Sequence, residues 1–341
     1  MDLVIESPRK LVSRPPAPRA LHRYEVLIKV DRISLCGSDY RLYDGTYSGP
    51  RNYPIRFGHE WSGHVIEAPR GSKFSPGDHV TGDCSKWCGD CDECEFDKNL
   101  CRRIEKFGIT VDGFSTSLRV VNEKYLYANE LCLDSKLLAL TEMFAVAWRG
   151  VRIGQSRLRR DTNVLIVGSG ALGLATYLIL KLGLGLENVV LTEARQAKIA
   201  CVTRRIADCR FVENLSTGPW DRSFTYSETS AAAKYPVVFE CSGGEAALNS
   251  ALFECALGGL VIYLGLSSLS AVRTEFIVTK RLTVCGTIGG TGEFSAAMQF
   301  LTAHGGFAAR LITHEFAAAD AKAAFEHTID CTSRIKTQLV F

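Results

Sequence analysis

The sequence has no apolar run long enough to span a bilayer, which excludes a transmembrane helix. Its first residues, MDLVIESPRK, lack a basic region followed by an apolar stretch, so no secretory signal is read there. Excess charge of one sign is missing too: the formal net charge is +3 over 341 residues. The densest basic cluster, Arg157 to Arg160, is short and reads as a solvated helix end or loop, not a nucleic-acid patch. There is no internal repeat and no low-complexity segment. Charged residues are 23% and hydrophobic residues 46%, which suits folded domains with full cores and excludes disorder. The length allows two domains.

Cysteine is plentiful: thirteen residues. Four of them crowd into CGDCDECEFDKNLC as Cys88, Cys91, Cys94 and Cys101. Two-residue gaps turn successive thiolates inward, so this run predicts a closed, tetrahedral, structural Zn²⁺ site on a loop that depends on the metal for its shape. Cys84 lies close enough in sequence to compete as a ligand. The remaining cysteines are dispersed, as in a chain kept in a reducing cytoplasm.

A second constellation is looser. Cys36 stands in CGSD, and His59 and Glu60 stand in GHEWSG. Thiolate and imidazole suit a catalytic Zn²⁺ with one open position. The carboxylate ligand is either Glu60 or Glu142, the latter in LTEMFAVAWRG. Such an ion polarises a hydroxyl oxygen and lowers its pKa. Ser38 is placed to hydrogen-bond that oxygen and pass its proton outward.

The third feature is GSGALG at 168–173, with Gly168, Gly170 and Gly173 in GxGxxG spacing and Ala171 and Leu172 between the last two. It follows the apolar run NVLIVG and opens the apolar segment 171–183, the strand–turn–helix context that a dinucleotide site requires. Glu193 ends the next strand, where an acid receives ribose hydroxyls and favours NAD over NADP. Arg195 and Lys198 follow and would pair with a 2′-phosphate instead.

The pattern along the chain agrees. The first 140 or so residues read as short strands, EVLIKVDRISL (25–35) and GHVIEA (63–68) among them, with no helical periodicity before about residue 135. From 163 strands alternate with helices at 171–183, 198–208 and 247–257, which predicts an α/β, doubly wound parallel sheet. Helices are expected again at 293–304 and 318–329.

Together CGSD, GHEWSG, SPGDHV, the four-cysteine run, VDGFS, GSGALG, ECSGG, GGLVIYLG and IKTQLVF resemble the zinc-dependent medium-chain dehydrogenase/reductase family over nearly the whole chain. The resemblance implies a GroES-like catalytic domain from residues 1–144 and 289–341, with a zinc lobe at 84–101, and a Rossmann domain at 145–288. It implies catalytic-metal ligands at Cys36, His59 and Glu60, with Glu142 as a ligand or bonded to metal-bound water, and a proton relay through Ser38. It also implies a homodimer or homotetramer assembled through 281–288 and a small-molecule polyol substrate, with no nucleic-acid or membrane partner. Two departures stand out. Six residues separate Cys94 from Cys101, where seven is usual. Arg41 occupies the position of a relay histidine and cannot act as a base. Within the family the motifs are similar to the polyol branch, and most of all to aminocyclitol dehydrogenases that oxidise 2-deoxy-scyllo-inosamine in aminoglycoside antibiotic biosynthesis. Asp39 and Asp44 then become candidates to meet an ammonium group, or simply turn and cap residues. Alternatives are a sorbitol-, threonine- or glucose-type dehydrogenase, and a nucleotide-binding protein without catalysis.

Overall fold

The computed structural model describes residues 1–16, 20–212, 218, 222–266, 268 and 271–341. The chain divides into two compact units. One is Met1–Ala145 with Gly289–Phe341; the other is Val146–Ile288. The junction falls within the helix Thr141–Gly154. Among the described residues no helix is long and apolar enough to cross a membrane.

The first unit opens on a hairpin, β1 (Asp2–Ser7) with β2 (Lys10–Arg14). Then comes β3 (Glu25–Leu35), whose valines and isoleucines at alternate positions are fully buried. A short helix, α1 (Gly37–Asp44), follows at once. The expectation of no helix before residue 135 is therefore corrected. Its cause is length: eight residues make barely two turns, too few to show a helical period. β4 (Glu60–Glu67) and β5 (His79–Gly82) pair antiparallel. The sheet runs Ile312–Ala317, Lys336–Val340, β3, β4, β5, Leu126–Ala128, with Leu118–Asn122 paired to the start of β3. The C-terminal strands thus join the sheet built by β3, β4 and β5. Its core includes Trp61, fully buried and stacked 4.1 Å from Phe114.

Among the described residues the second unit holds a five-stranded parallel sheet with helices. Its order is Val189–Thr192, Val164–Val167, Tyr235–Glu240, Cys255–Tyr263, Thr283–Gly286. The strands are near-continuous apolar runs because helices cover a parallel sheet. The apolar segment after the glycine turn is the helix Ala171–Leu178, closed by a wider π-turn at Ile179–Gly183. The helix expected at 247–257 ends at Glu254, and Cys255 already begins the next strand.

Candidate active site and nucleotide turn

Cys36 is the residue between β3 and α1, in extended conformation. His59 directly precedes β4, and Glu60 is its first residue. Asp39 ties these segments together. Its carboxylate accepts the Cys36 N–H at 2.7 Å and the Gly58 N–H at 3.1 Å. Gly58 has φ +82°, open to glycine at little cost, and this turn presents His59 inward. The VDGFS segment packs against the turn so closely that a Cβ on Gly113 would lie 2.3 Å from the Gly58 carbonyl. Asp39 is fully buried, and burial raises its carboxyl pKa. It is thus a structural tie, and Asp44 pairs with Arg9. Neither is a free anion for a substrate ammonium, which corrects that candidacy.

Cys36, His59 and Glu60 come together with one ligand atom of each within 4.8 Å of the others. Glu60 is also held from behind: Lys336 Nζ lies 2.8 and 2.6 Å from its two oxygens, and both side chains are buried. Glu142 stands outside that group. It is 5% exposed, and its electrostatic neighbours are His59 and Glu60. Burial, then the charge of Glu60, push its carboxyl up to about 7. His59 also shifts upward, but through its neighbours and not through burial. Burial works against its protonation, but Cys84, Asp39 and Cys36 outweigh burial and pull it well above the usual range. Both shifts mark a pocket with a surplus of anionic donors. Two shielded atoms there, His59 Nδ1 and Ser38 Oγ, have no hydrogen-bond partner. A thiolate, an imidazole and carboxylates gathered around these two atoms fit Zn²⁺.

Two residues near this pocket, Lys336 and Tyr47, escape a sequence reading, and the sequence reads a third, Cys84, for another role. Lys336 lies in IKTQLVF, and only its placement inside an apolar strand hints at a buried carboxylate partner. Tyr47 is buried, with His59, Cys84, Cys36 and Arg41 as electrostatic neighbours. Cys84, expected as a competitor for the four-cysteine metal, neighbours His59 and Glu142 instead. Arg41, in the last turn of α1, reaches back to 3.7 Å from where a Cβ on Gly37 would sit.

The four-cysteine lobe has the spacing of a tetrahedral Zn²⁺ site. Its Sγ–Sγ separations are 3.8 Å (Cys88–Cys94), 3.4 Å (Cys91–Cys94), 3.9 Å (Cys91–Cys101) and 3.4 Å (Cys101–Cys88). Thiolates about 2.3 Å from one tetrahedral ion stand about 3.8 Å apart. The shortened Cys94–Cys101 gap does not prevent this.

In the second unit Gly168 has φ +100°, with Ser242 only 2.9 Å from where its Cβ would be. A Cβ on Gly173 would lie 2.0 Å from the Gly168 carbonyl, so helix and turn can meet only at glycine. Gly170 has open space around it and caps the helix that begins at Ala171 and Leu172. This leaves backbone N–H groups and the positive helix end free for phosphate. Glu193, just past its strand, accepts Ser169 Oγ at 2.9 Å and Arg195 Nε at 2.8 Å. Burial would raise its carboxyl pKa, but these two partners pull it below the ordinary range. Lys198, expected as a 2′-phosphate partner, is only 1% exposed, so its charge is not offered at the surface.

Residues 22–130 match the family described as the alcohol dehydrogenase GroES-like domain. The chain is 26% identical over 331 residues to the sorbitol dehydrogenase of Halalkalibacterium halodurans, covering 93% of this chain and 92% of that protein. It is 32% identical over 212 residues to the scyllo-inosose 3-dehydrogenase of Thermotoga maritima, covering 56% and 53% respectively. The L-idonate 5-dehydrogenase of Escherichia coli has the same fold, with a TM-score of 0.86 at 23% identity over 100% of this chain and 97% of that one. Residues 22–130 thus form an alcohol dehydrogenase GroES-like domain, and over nearly its whole length the chain is similar in sequence and fold to alcohol and polyol dehydrogenases, oxidoreductases acting on CH–OH groups.

Proposed function

We propose that the protein oxidises a secondary hydroxyl of a cyclic polyol or aminocyclitol to the ketone, using Zn²⁺ and NAD. The observation that carries this is the convergence of Cys36, His59 and Glu60 in a pocket where His59 Nδ1 and Ser38 Oγ lack partners. Cys36 and His59 would hold the ion, with Glu60 or Glu142 as the carboxylate. When bound there, it supplies Lewis acidity toward the substrate hydroxyl. Lys336 neutralises and orients Glu60. Ser38 Oγ is the acceptor for the hydroxyl proton. Arg41 cannot take that proton, so it leaves Ser38 for the cofactor ribose hydroxyls or water. In the other unit Gly168, Gly170 and Gly173, with the N–H groups of the turn and of Ala171 and Leu172, receive the pyrophosphate. Glu193 receives the adenosine ribose hydroxyls and repels a 2′-phosphate. Arg195 offsets part of that repulsion, so NADP is used less well rather than not at all. Cys88, Cys91, Cys94 and Cys101 would hold a second Zn²⁺ that shapes their lobe. The edge strand Thr283–Gly286, with Val284 and Ile288 exposed, suits a homodimer or homotetramer.

The ring substrate rests on the motif resemblance to enzymes acting on 2-deoxy-scyllo-inosamine and on the scyllo-inosose relative. A second reading, an acyclic polyol, is favoured by the near full-length match to a sorbitol dehydrogenase. Reduced-nicotinamide absorbance with 2-deoxy-scyllo-inosamine, scyllo-inositol, sorbitol and threonine, each with NAD and NADP, separates the two. Reaction of the ring compounds with NAD is expected. Reaction of sorbitol or threonine alone overturns the ring proposal.

A further inference from the structure

We propose that Asp31, His64 and His79 form a separate binding site for a late first-row divalent metal ion such as Zn²⁺, Ni²⁺ or Cu²⁺. The three residues lie on three neighbouring strands. His64 on β4 and His79 on β5 are directly opposite in the ladder, and their rings stack at 4.3 Å with 5° between planes. Asp31 is the extra residue where the β3–β4 register shifts between Val30 and Arg32. A bulge of this kind re-aims one side chain out of alternation. Here the carboxylate meets both imidazoles: Asp31 Oδ2 is 2.7 Å from His64 Nδ1 and 3.9 Å from His79 Nε2. One ligand atom of each residue lies within 4.8 Å of the others.

Donors at about 2.0–2.1 Å from a tetrahedral ion stand about 3.4 Å apart, so shifts of about an ångström close the site. Two imidazoles and a carboxylate select zinc, nickel or copper over calcium or magnesium. Side-chain exposures of 41% for His64, 18% for His79 and 19% for Asp31 leave room for water to complete the coordination. His64 is four residues along β4 from Glu60, roughly 13 Å away, so this is not an extension of the catalytic cluster.

Protonation states favour the binding of metal. Burial, then the neighbouring His64, lower the pKa of His79. Its ring is therefore neutral, as a ligand must be. Asn129 fixes which nitrogen carries the proton. Leu133 N–H donates to Asn129 Oδ1, while Asn129 Nδ2 donates to Leu133 O and to His79 Nδ1 at 2.9 Å. The proton then sits on His79 Nε2, facing Ser135 Oγ at 3.1 Å. An incoming ion at His79 Nε2 and His64 Nδ1 takes the place of the two protons there, which shift to the other nitrogen of each ring. The coordinated His79 ring carries its proton on Nδ1, so the Asn129 contact is given up. Loss of such a supporting bond costs about 10–100-fold in affinity.

The test uses tag-free protein carrying two zinc ions per chain, with Asp31, His64 and His79 left free of metal, and Ni²⁺ as the probe, in equilibrium dialysis with elemental analysis. The wild type should bind one Ni²⁺ per chain without losing zinc. His64→Gln and Asp31→Asn should each weaken that binding at least tenfold at unchanged zinc content. Failure of the wild type to bind Ni²⁺ at millimolar concentration, or equal binding by both variants, overturns the proposal.

Discussion

Lys336 shows how much one side chain can carry. It is 2% exposed, and both Glu60 oxygens turn to its ammonium. Burial alone would lower its pKa, but Glu60 and then Cys36 raise it, so it stays charged. Removing one partner of such a pair leaves an uncompensated buried charge, at a cost of about 3–5 kcal/mol. Lys336→Met should destabilise the protein by that order in denaturant unfolding, and Lys336→Arg by much less. Equal stability of Lys336→Met and wild type would mean that Glu60 is neutralised by other means. Lys336 was not legible in the sequence because its partner is 276 positions away and a lysine in a strand ordinarily faces water. Cys36, His59 and Glu60 were legible because donor type and adjacency state a metal preference by themselves. Asp39 falls between: its motif was read, but its hold on Gly58 depends on a turn 19 residues on.

Elements add constraints that residues alone do not. The glycine turn works only as a contact between helix and strand. Gly173→Ala would place a methyl 2.0 Å from the Gly168 carbonyl, so the turn must shift. The expected outcome in calorimetry is weaker NAD binding, by about tenfold or more, while the metal content of the first unit is unchanged. A second case is the helix Glu245–Glu254, whose last turn is met by the buried Lys280. Lys280 Nζ donates to Leu252 O at 3.1 Å and Phe253 O at 2.5 Å. Burial lowers its pKa to about 8 from an unfolded value of 10.5. Below pH 8 both states carry the proton, and the fold bears the full cost of a buried charge. Between about pH 8 and 10.5 the unfolded chain holds more protons, so stability rises with pH there. The melting temperature of the wild type relative to Lys280→Met should therefore climb from pH 7.5 to 10; a flat difference would show that Lys280 does not titrate in this window. Long elements with a clear period, such as β3 and the helix after the glycine turn, were legible. The hairpin of β1 and β2 and the short α1 were not, because a few residues carry no period.

At the scale of the molecule, each unit holds its own part of the chemistry. The first gathers thiolates, imidazole and carboxylates from its N-terminal segment and braces Glu60 with Lys336 from its C-terminal one; the second presents a glycine turn and Glu193 at the ends of parallel strands. The strand–helix alternation made the second unit legible, since a parallel sheet needs a covering helix at each crossover. In the first unit the pairing of Lys336–Val340 with β3 was not legible, because about 300 residues separate the partners and no local signal encodes that contact. The proposed chemistry turns on a metal held by Cys36. The most direct measurement is the zinc content and turnover of Cys36→Ala beside the wild type, with the best alcohol substrate and NAD. The expected result is one zinc fewer per chain, an intact four-cysteine site, and a loss of several kcal/mol of transition-state stabilisation, about a thousandfold in kcat. Unchanged zinc content with wild-type turnover would contradict it.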